Sequence, residues 1–273
     1  MFEKLKYKSI AVFYLSIALI ALSSCKDFSE TGLKSFENED YKKALKSFEE
    51  ALARDPNNES LHYNLARTYE ELGKYKEGIA EYNWVADRSP TPSLAILGRG
   101  RCYWKMEDYN AAEMDFAYVI RLVPDNFEAY YLKGRANLKL WDFVQASLDL
   151  DEAIRLNPEH VMAHYCRGVA LGQIGYLGSA VNDFNFVLEK EPEMVQGLYN
   201  RGICYQRLRL YDKAITDFNE TLKMDGNKLE CIWRRGLCYL QKRNNQLACK
   251  DFKLALSKGF EPGGNYHLEV CNL

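Results

Sequence analysis

The chain has 273 residues, with 36 basic and 38 acidic side chains and a formal net charge of −2. So even a balance lacks the concentrated positive charge that nucleic-acid binding requires, and that class of partner is set aside. Eight cysteines are present, but no Cys-x-x-Cys or Cys/His spacing points to a zinc site.

Lys4, Lys6 and Lys8 precede an apolar run from Ile10 to Leu22. Crossing a bilayer takes about 20 apolar residues, more than this run supplies. A basic start, a short apolar middle and small residues at the end predict a secretory signal peptide over 1–24. The sequence Leu22-Ser23-Ser24-Cys25 resembles the lipobox of bacterial lipoproteins. The resemblance implies cleavage before Cys25 and lipidation there, with membrane attachment through acyl chains such as palmitate. It also implies an outer-membrane destination, because Lys26 rather than an aspartate follows the cysteine. Lys26-Asp27 partly resembles the surface-export signal of Bacteroidota lipoproteins, but Phe28 breaks the match, so the side of the membrane stays open.

From residue 25 the chain repeats every 34 residues, seven times without insertion: 25–58, 59–92, 93–126, 127–160, 161–194, 195–228 and 229–262. One column reads Gly32, Ala66, Gly100, Gly134, Gly168, Gly202, Gly236. A second reads Ala44, Gly78, Ala112, Ala146, Ala180, Ala214, Ala248. A third, four positions later, reads Phe48, Tyr82, Phe116, Leu150, Phe184, Phe218, Phe252. Pro56, Pro90, Pro124, Pro158 and Pro192 close five units. Each unit therefore predicts two helices around a tight turn, with the second and third columns on one face of the second helix and proline ending it. One such hairpin cannot bury its apolar face alone, whereas a stack of them makes a continuous core.

This pattern resembles the tetratricopeptide repeat family over residues 25–262. The resemblance implies an all-α, right-handed superhelical solenoid of seven helix hairpins, with a concave groove lined by the first helix of each unit. The first unit departs most. Phe28, Leu33 and Phe36 are its only large apolar residues before the turn, and its first helix is expected to fray. The tail, 263–273, is expected to add a short capping helix.

Comparing the repeats with one another predicts ion pairs: Arg99 with Asp115, Lys133 with Asp149, Arg167 with Asp183, Arg201 with Asp217, and Arg235 with Asp251. The first two units hold Thr31/Ser47 and Leu65/Glu81 instead, so the cation is lost where the aspartate is. The pairs are read as structural, within a unit or between neighbours; an anionic ligand on the arginine column is the alternative. Cys102, Cys204 and Cys238 share a column with Ala136 and Ala170 and are read as small core residues. A Cys249–Cys271 bridge would follow if the tail folds back.

The groove face implied by the resemblance carries Tyr63, Leu97, Tyr131, Tyr165, Tyr199 and Trp233, with Trp104, Leu138 and Leu240 extending the stripe. Four residues on, Arg67, Arg101 and Arg135 give way to Val169, Ile203 and Leu237. Two readings compete. Tyrosine in this column can simply pack on its neighbours; alternatively, the groove binds a partner in two parts. Arg67, Arg101 and Arg135 would then take an acidic or polar extended segment. Tyr165, Tyr199, Ile203, Trp233 and Leu237 would take an apolar anchor. The Lys/Asn clamp by which some arrays of the family grip a C-terminal carboxylate is missing at Ser29/Leu33, Tyr63/Arg67 and Leu97/Arg101. No catalytic constellation is present. His160 and His164, with Glu159 beside them, lack the further ligands a metal needs. No cofactor or metal is expected. The functional expectation is a non-enzymatic, lipid-anchored adaptor of the bacterial envelope that binds a protein partner. The alternative is a glycan or peptidoglycan binder using the Tyr/Trp stripe. The sequence leaves oligomeric state open.

Overall fold

A computed structural model describes residues 27–260 and Cys271. The signal peptide over 1–24, the lipidation residue Cys25 and all of the 263–273 tail except Cys271 lie outside the described residues. Among them the regular structure is helix throughout, with no strand.

The chain divides into two compact units, the first running to Ala136 and the second from Asn137. The first holds α1 (27–37), α2 (Tyr41–Leu52), α3 (Glu59–Glu71), α4 (Tyr75–Ala86), α5 (Ser93–Lys105) and α6 (Tyr109–Leu122). Helix α7 (Phe127–Lys139) carries the chain into the second. There follow α8 (Phe143–Leu156), α9 (Val161–Ile174), α10 (Leu177–Lys190), α11 (Val195–Arg207), α12 (Tyr211–Met224), α13 (Leu229–Gln241) and α14 (Asn245–Ser257). From α2 to α6, and again from α8 to α14, each helix packs on the one before it and the one after.

Why these residues make helices that start and stop where they do is largely local chemistry. Asp40, Asp108, Asp142 and Asn244 each cap a second helix by accepting from the backbone N–H three residues on. Asn58 and Asn126 do the same for first helices. Every hairpin turn places one residue in the left-handed region: Glu39, Gly73, Glu107, Trp141, Gly175, Arg209 and Arg243, with φ between 60° and 95°. Only two are glycine, so the hairpin geometry overrides the usual preference of side chains against that conformation.

The two helices of a hairpin meet at the glycine column. A Cβ at Gly32, Gly100, Gly168, Gly202 or Gly236 would lie 2.6–3.0 Å from the facing phenylalanine ring. Those rings, Phe48, Phe116, Phe184, Phe218 and Phe252, are at most 1% exposed. The first helix, expected to fray, is formed. Phe28 and Phe36 pack on the Ala44/Phe48 cluster, and the guanidinium of Arg54 lies 4.3 Å over the Phe28 ring. Cys102, Cys204 and Cys238 are buried, as are Cys166 and Cys231. Cys249 and Cys271 are joined in a disulfide with Cα atoms 5.5 Å apart.

Two measurements check this packing. Gly236→Ala, which drives a Cβ into Phe252, should cost about 1–3 kcal/mol in urea denaturation. Gly178→Ala, in α10 with nothing within 4 Å, should instead gain about 0.5–1 kcal/mol from helix propensity. Burial pushes the thiols of Cys102, Cys231 and Cys238 up to about 12 and that of Cys204 up to about 11. Iodoacetamide at pH 8 should therefore leave all four unmodified in the native protein and label them after denaturation, read by mass spectrometry.

Candidate functional site

The charged ladder fixes which cations are left for other work. Arg99 grips Asp115 through Nε (2.9 Å) and Nη2 (2.5 Å), and its Nη1 reaches Asn83 at 2.6 Å. Arg167 grips Asp183 and reaches Asp151. Arg201 grips Asp217 and reaches Asn185. Arg235 grips Asp251 and reaches Asn219. The planar fork thus ties the two helices of one hairpin, and its third arm ties the preceding second helix. Lys133 has no fork. Its ammonium lies 3.5 Å from Glu113, and the carboxylate of Asp149 also accepts from Asn137 and Gln145. The pairs act within a unit and between neighbours at once. The second contact was missed in the sequence, although its column reads Asn83, Ala117, Asp151, Asn185, Asn219. The acceptor is absent only where lysine replaces arginine.

The second repeat, one of the two that lack this pair, uses another device. Ala66 stands where glycine usually does, and its Cβ takes the space a ring would fill. The Tyr82 ring, fully buried, instead occupies the space that Gly98 leaves on the next first helix. Its hydroxyl donates to Glu70 at 2.8 Å. Glu70 in turn accepts two bonds from Arg101, at 2.8 and 3.1 Å, and Arg101 also donates to Glu128 at 3.2 Å.

Arg101 is therefore engaged within the first unit, unlike its column partners. The guanidinium of Arg67 lies 4.5 Å over Phe36 and 6.0 Å over Tyr63. That of Arg135 lies 4.8 Å over Trp104 and 5.4 Å over Tyr131. Among the described residues no carboxylate comes within ion-pair distance of Arg67 or Arg135. Tyr63, Trp104 and Tyr131 are half-buried.

The second unit departs from expectation at two positions. Trp233 is 5% exposed and Tyr199 8%, so neither ring offers surface to a partner. Trp233 packs 4.5 Å from Phe252 and 5.5 Å from Phe260, and Cys271, held by its disulfide, covers the same cluster. Tyr199 lies against Phe218, and its hydroxyl accepts from Arg234. At these two positions the column thus packs on the aromatic column of its own hairpin, the first of the two readings the sequence left open. Tyr165, Ile203 and Leu237 remain half-buried. Between α9 and α11 a slot of about 60 Å³ is walled by Val169, Gly172, Asn200 and Ile203 and floored by Phe184 and Cys204, room for one small aliphatic side chain.

The histidines are occupied by the fold. His160 Nδ1 accepts from the Ala163 N–H as a helix cap. His164 lies 2.9 Å from Asp183 and 3.0 Å from the Pro158 carbonyl. His62 makes the same pair of contacts with Glu81 and Pro56. Among the described residues no group of three or more His, Cys, Asp or Glu side chains converges as a metal site. Sequence reasoning also passed over Trp141. It is 77% exposed and sits at a left-handed turn position with φ of 63°, a column whose other members are Gly, Glu and Arg.

The ladder has a direct test. Arg235→Ala strands Asp251, 4% exposed, and should lower stability by about 2–3 kcal/mol in urea denaturation. Unchanged stability with weakened partner binding would transfer the column to a ligand.

Sequence models described as tetratricopeptide repeat match residues 35–97, 97–146 and 195–228, together just over half of the chain. No curated protein matches it. Solved structures share the fold. YrrB, a TPR protein with an unusual peptide-binding site, is 22% identical with a TM-score of 0.64, covering 69% of this chain and 97% of that one. A tetratricopeptide repeat protein from Parabacteroides merdae is 20% identical with a TM-score of 0.64, covering 92% and 98%. The C-terminal part of a TPR repeat-containing protein from Cytophaga hutchinsonii is 16% identical with a TM-score of 0.69, covering 89% and 98%. Repeats matched in both halves of the chain, on a framework of helix hairpins closed by glycine against phenylalanine, make this chain a tetratricopeptide repeat protein.

Proposed function

We propose that the chain is a lipid-anchored adaptor of the bacterial envelope, held through Cys25, that binds an extended segment of a protein partner along its first helices. The fold supports a protein-interaction scaffold. The observation that carries the finer reading is in the first unit. There Tyr63, Arg67, Trp104, Tyr131 and Arg135 stay half-exposed on first helices, while the ladder arginines and Arg101 are engaged within the fold. Aromatic and arginine side chains of this kind dominate the energetics of protein interfaces. YrrB, of the same fold, has a peptide-binding site, and a peptide is the occupant assigned here. In the second unit the slot beside Ile203 and Val169 takes an aliphatic side chain of a partner.

Membrane attachment rests on the lipobox-like residues 22–25. Among the described residues no helix is long and apolar enough to cross a membrane. The first described helix begins at residue 27, so the repeats start close to the anchor. An outer-membrane location belongs to the same proposal.

A glycan remains the second reading, favoured by one feature. A cleft of about 300 Å³ is lined by Glu59, Ser60, Tyr63, Asn64, Ser89 and Thr91 among others. Among the described residues the Tyr63 hydroxyl and Asn64 amide make no side-chain hydrogen bond there.

Three measurements separate these readings. A photoreactive residue at position 131 in living cells should capture one recurrent envelope protein; absence of any protein adduct sinks the adaptor. Labelling with a clickable fatty acid should disappear in Cys25→Ser, and label persisting in that variant sinks the anchor. Calorimetric titration with peptidoglycan fragments should give no heat, and saturable heat lost in Asn64→Ala would favour the glycan.

A further inference from the structure

We propose that the first unit holds two equivalent carboxylate seats, Arg67 and Arg135. The segment they read is extended, with two acidic residues five or six positions apart and no acid between. The proposal rests on the groove reading above and adds the chemistry of the occupant.

The two seats are built alike. In each, the guanidinium lies over an aromatic ring from the preceding first helix, Phe36 in α1 or Trp104 in α5. In each, a second ring comes from one turn earlier on its own helix, Tyr63 or Tyr131. Stacking occupies the face of the guanidinium and leaves its N–H edge available. That edge can donate a pair of parallel bonds, the geometry a carboxylate matches. Neither cation has a carboxylate within ion-pair reach among the described residues, whereas Arg99 and Arg101 in the same unit each hold one at 2.5–2.8 Å.

The cation between them is closed. Arg101 is held by Glu70 and Glu128, and Glu70 also satisfies the buried Tyr82 hydroxyl. This middle position therefore repels an acid rather than attracting one. A nucleic-acid backbone, with anions at every step, meets those glutamates and is disfavoured. A peptide can carry a neutral stretch there.

The spacing follows from helix packing. Helices α3 and α5 are in contact, and packed helices lie about 8–10 Å apart. Two such steps, α3 to α5 to α7, separate the seats by about 16–20 Å, which an extended chain rising about 3.3 Å per residue spans in five or six residues.

The test uses the full chain in detergent and fluorescence anisotropy with labelled twelve-residue peptides. One carries glutamates five apart in a neutral background; its twin carries glutamines. The acidic peptide should bind about tenfold tighter or more than its twin, as for hydrogen bonds to charged groups. Arg67→Ala or Arg135→Ala should each remove most of that preference. Arg67→Lys and Arg135→Lys, which keep the charge but not the fork, should lose an intermediate amount, with folding checked by circular dichroism. A third glutamate in the middle should weaken binding, and Glu128→Gln should relieve that penalty. Equal binding of the twins, no binding of either, or indifference to both arginines overturns the seats. A partner captured at position 131 whose affinity ignores acid-to-amide exchange overturns the seats and keeps the adaptor. Acid preference with no captured partner keeps the seats and overturns the adaptor.

Discussion

The structure depends on how closely the two helices of each hairpin approach. Where glycine faces phenylalanine there is no room for a methyl group, so the ring of one helix lies against the backbone of the other. Packing at crystal-like density transmits any change at such a contact to its neighbours. The second repeat shows the transmission. Alanine at position 66 displaces the ring of Tyr82 onto Gly98, the only glycine in its own column. The displaced ring is a tyrosine, and its buried hydroxyl then requires an acceptor. Glu70 supplies it, and a carboxylate only 13% exposed requires a cation, which Arg101 supplies. Four departures from the repeat pattern, at 66, 82, 98 and 70, are one arrangement.

The arginine forks complete the hairpins differently. A bidentate grip on an aspartate, with a third arm to the preceding helix, fixes three helices in register with a single side chain. Its contribution is geometric as much as energetic, because a buried pair repays much of its attraction in desolvation. Where lysine stands at 133 the fork is impossible. The position that would have met its third arm holds Ala117, whose side chain has no acceptor, and Lys133 also lies near Glu113.

Much of this was legible in the sequence because a repeat displays its own constraints seven times. Period, helix pairing, the glycine and phenylalanine columns, and the arginine–aspartate spacing at sixteen all stand out by comparison within one chain. What escaped lay outside the period or in columns that vary. The burial of Trp233 depends on Phe260 and a cysteine tied back from the tail, neither of which belongs to the repeated pattern. The closing of Arg101 depends on Glu70, the one carboxylate in its column, and on Glu128, whose column varies and repeats a glutamate only at Glu230. Trp141 occupies a turn column with no consistent residue type, so its left-handed backbone, which costs a bulky side chain about 1–3 kcal/mol, had no signature.

The three arginines at 67, 101 and 135 show why identical column positions need not serve identical ends. For an anion to take Arg101 it must displace Glu70, stranding a carboxylate beside the buried hydroxyl of Tyr82. Uncompensated charge in such a place costs about 3–5 kcal/mol, more than a single new charged contact returns. Arg67 and Arg135 stand on aromatic rings and give up only water when an anion arrives. The difference is tied to Ala66, a single methyl group buried in the same cluster as Tyr82. Close packing thus decides not only how the hairpins stack but which of their charges remain available to another molecule.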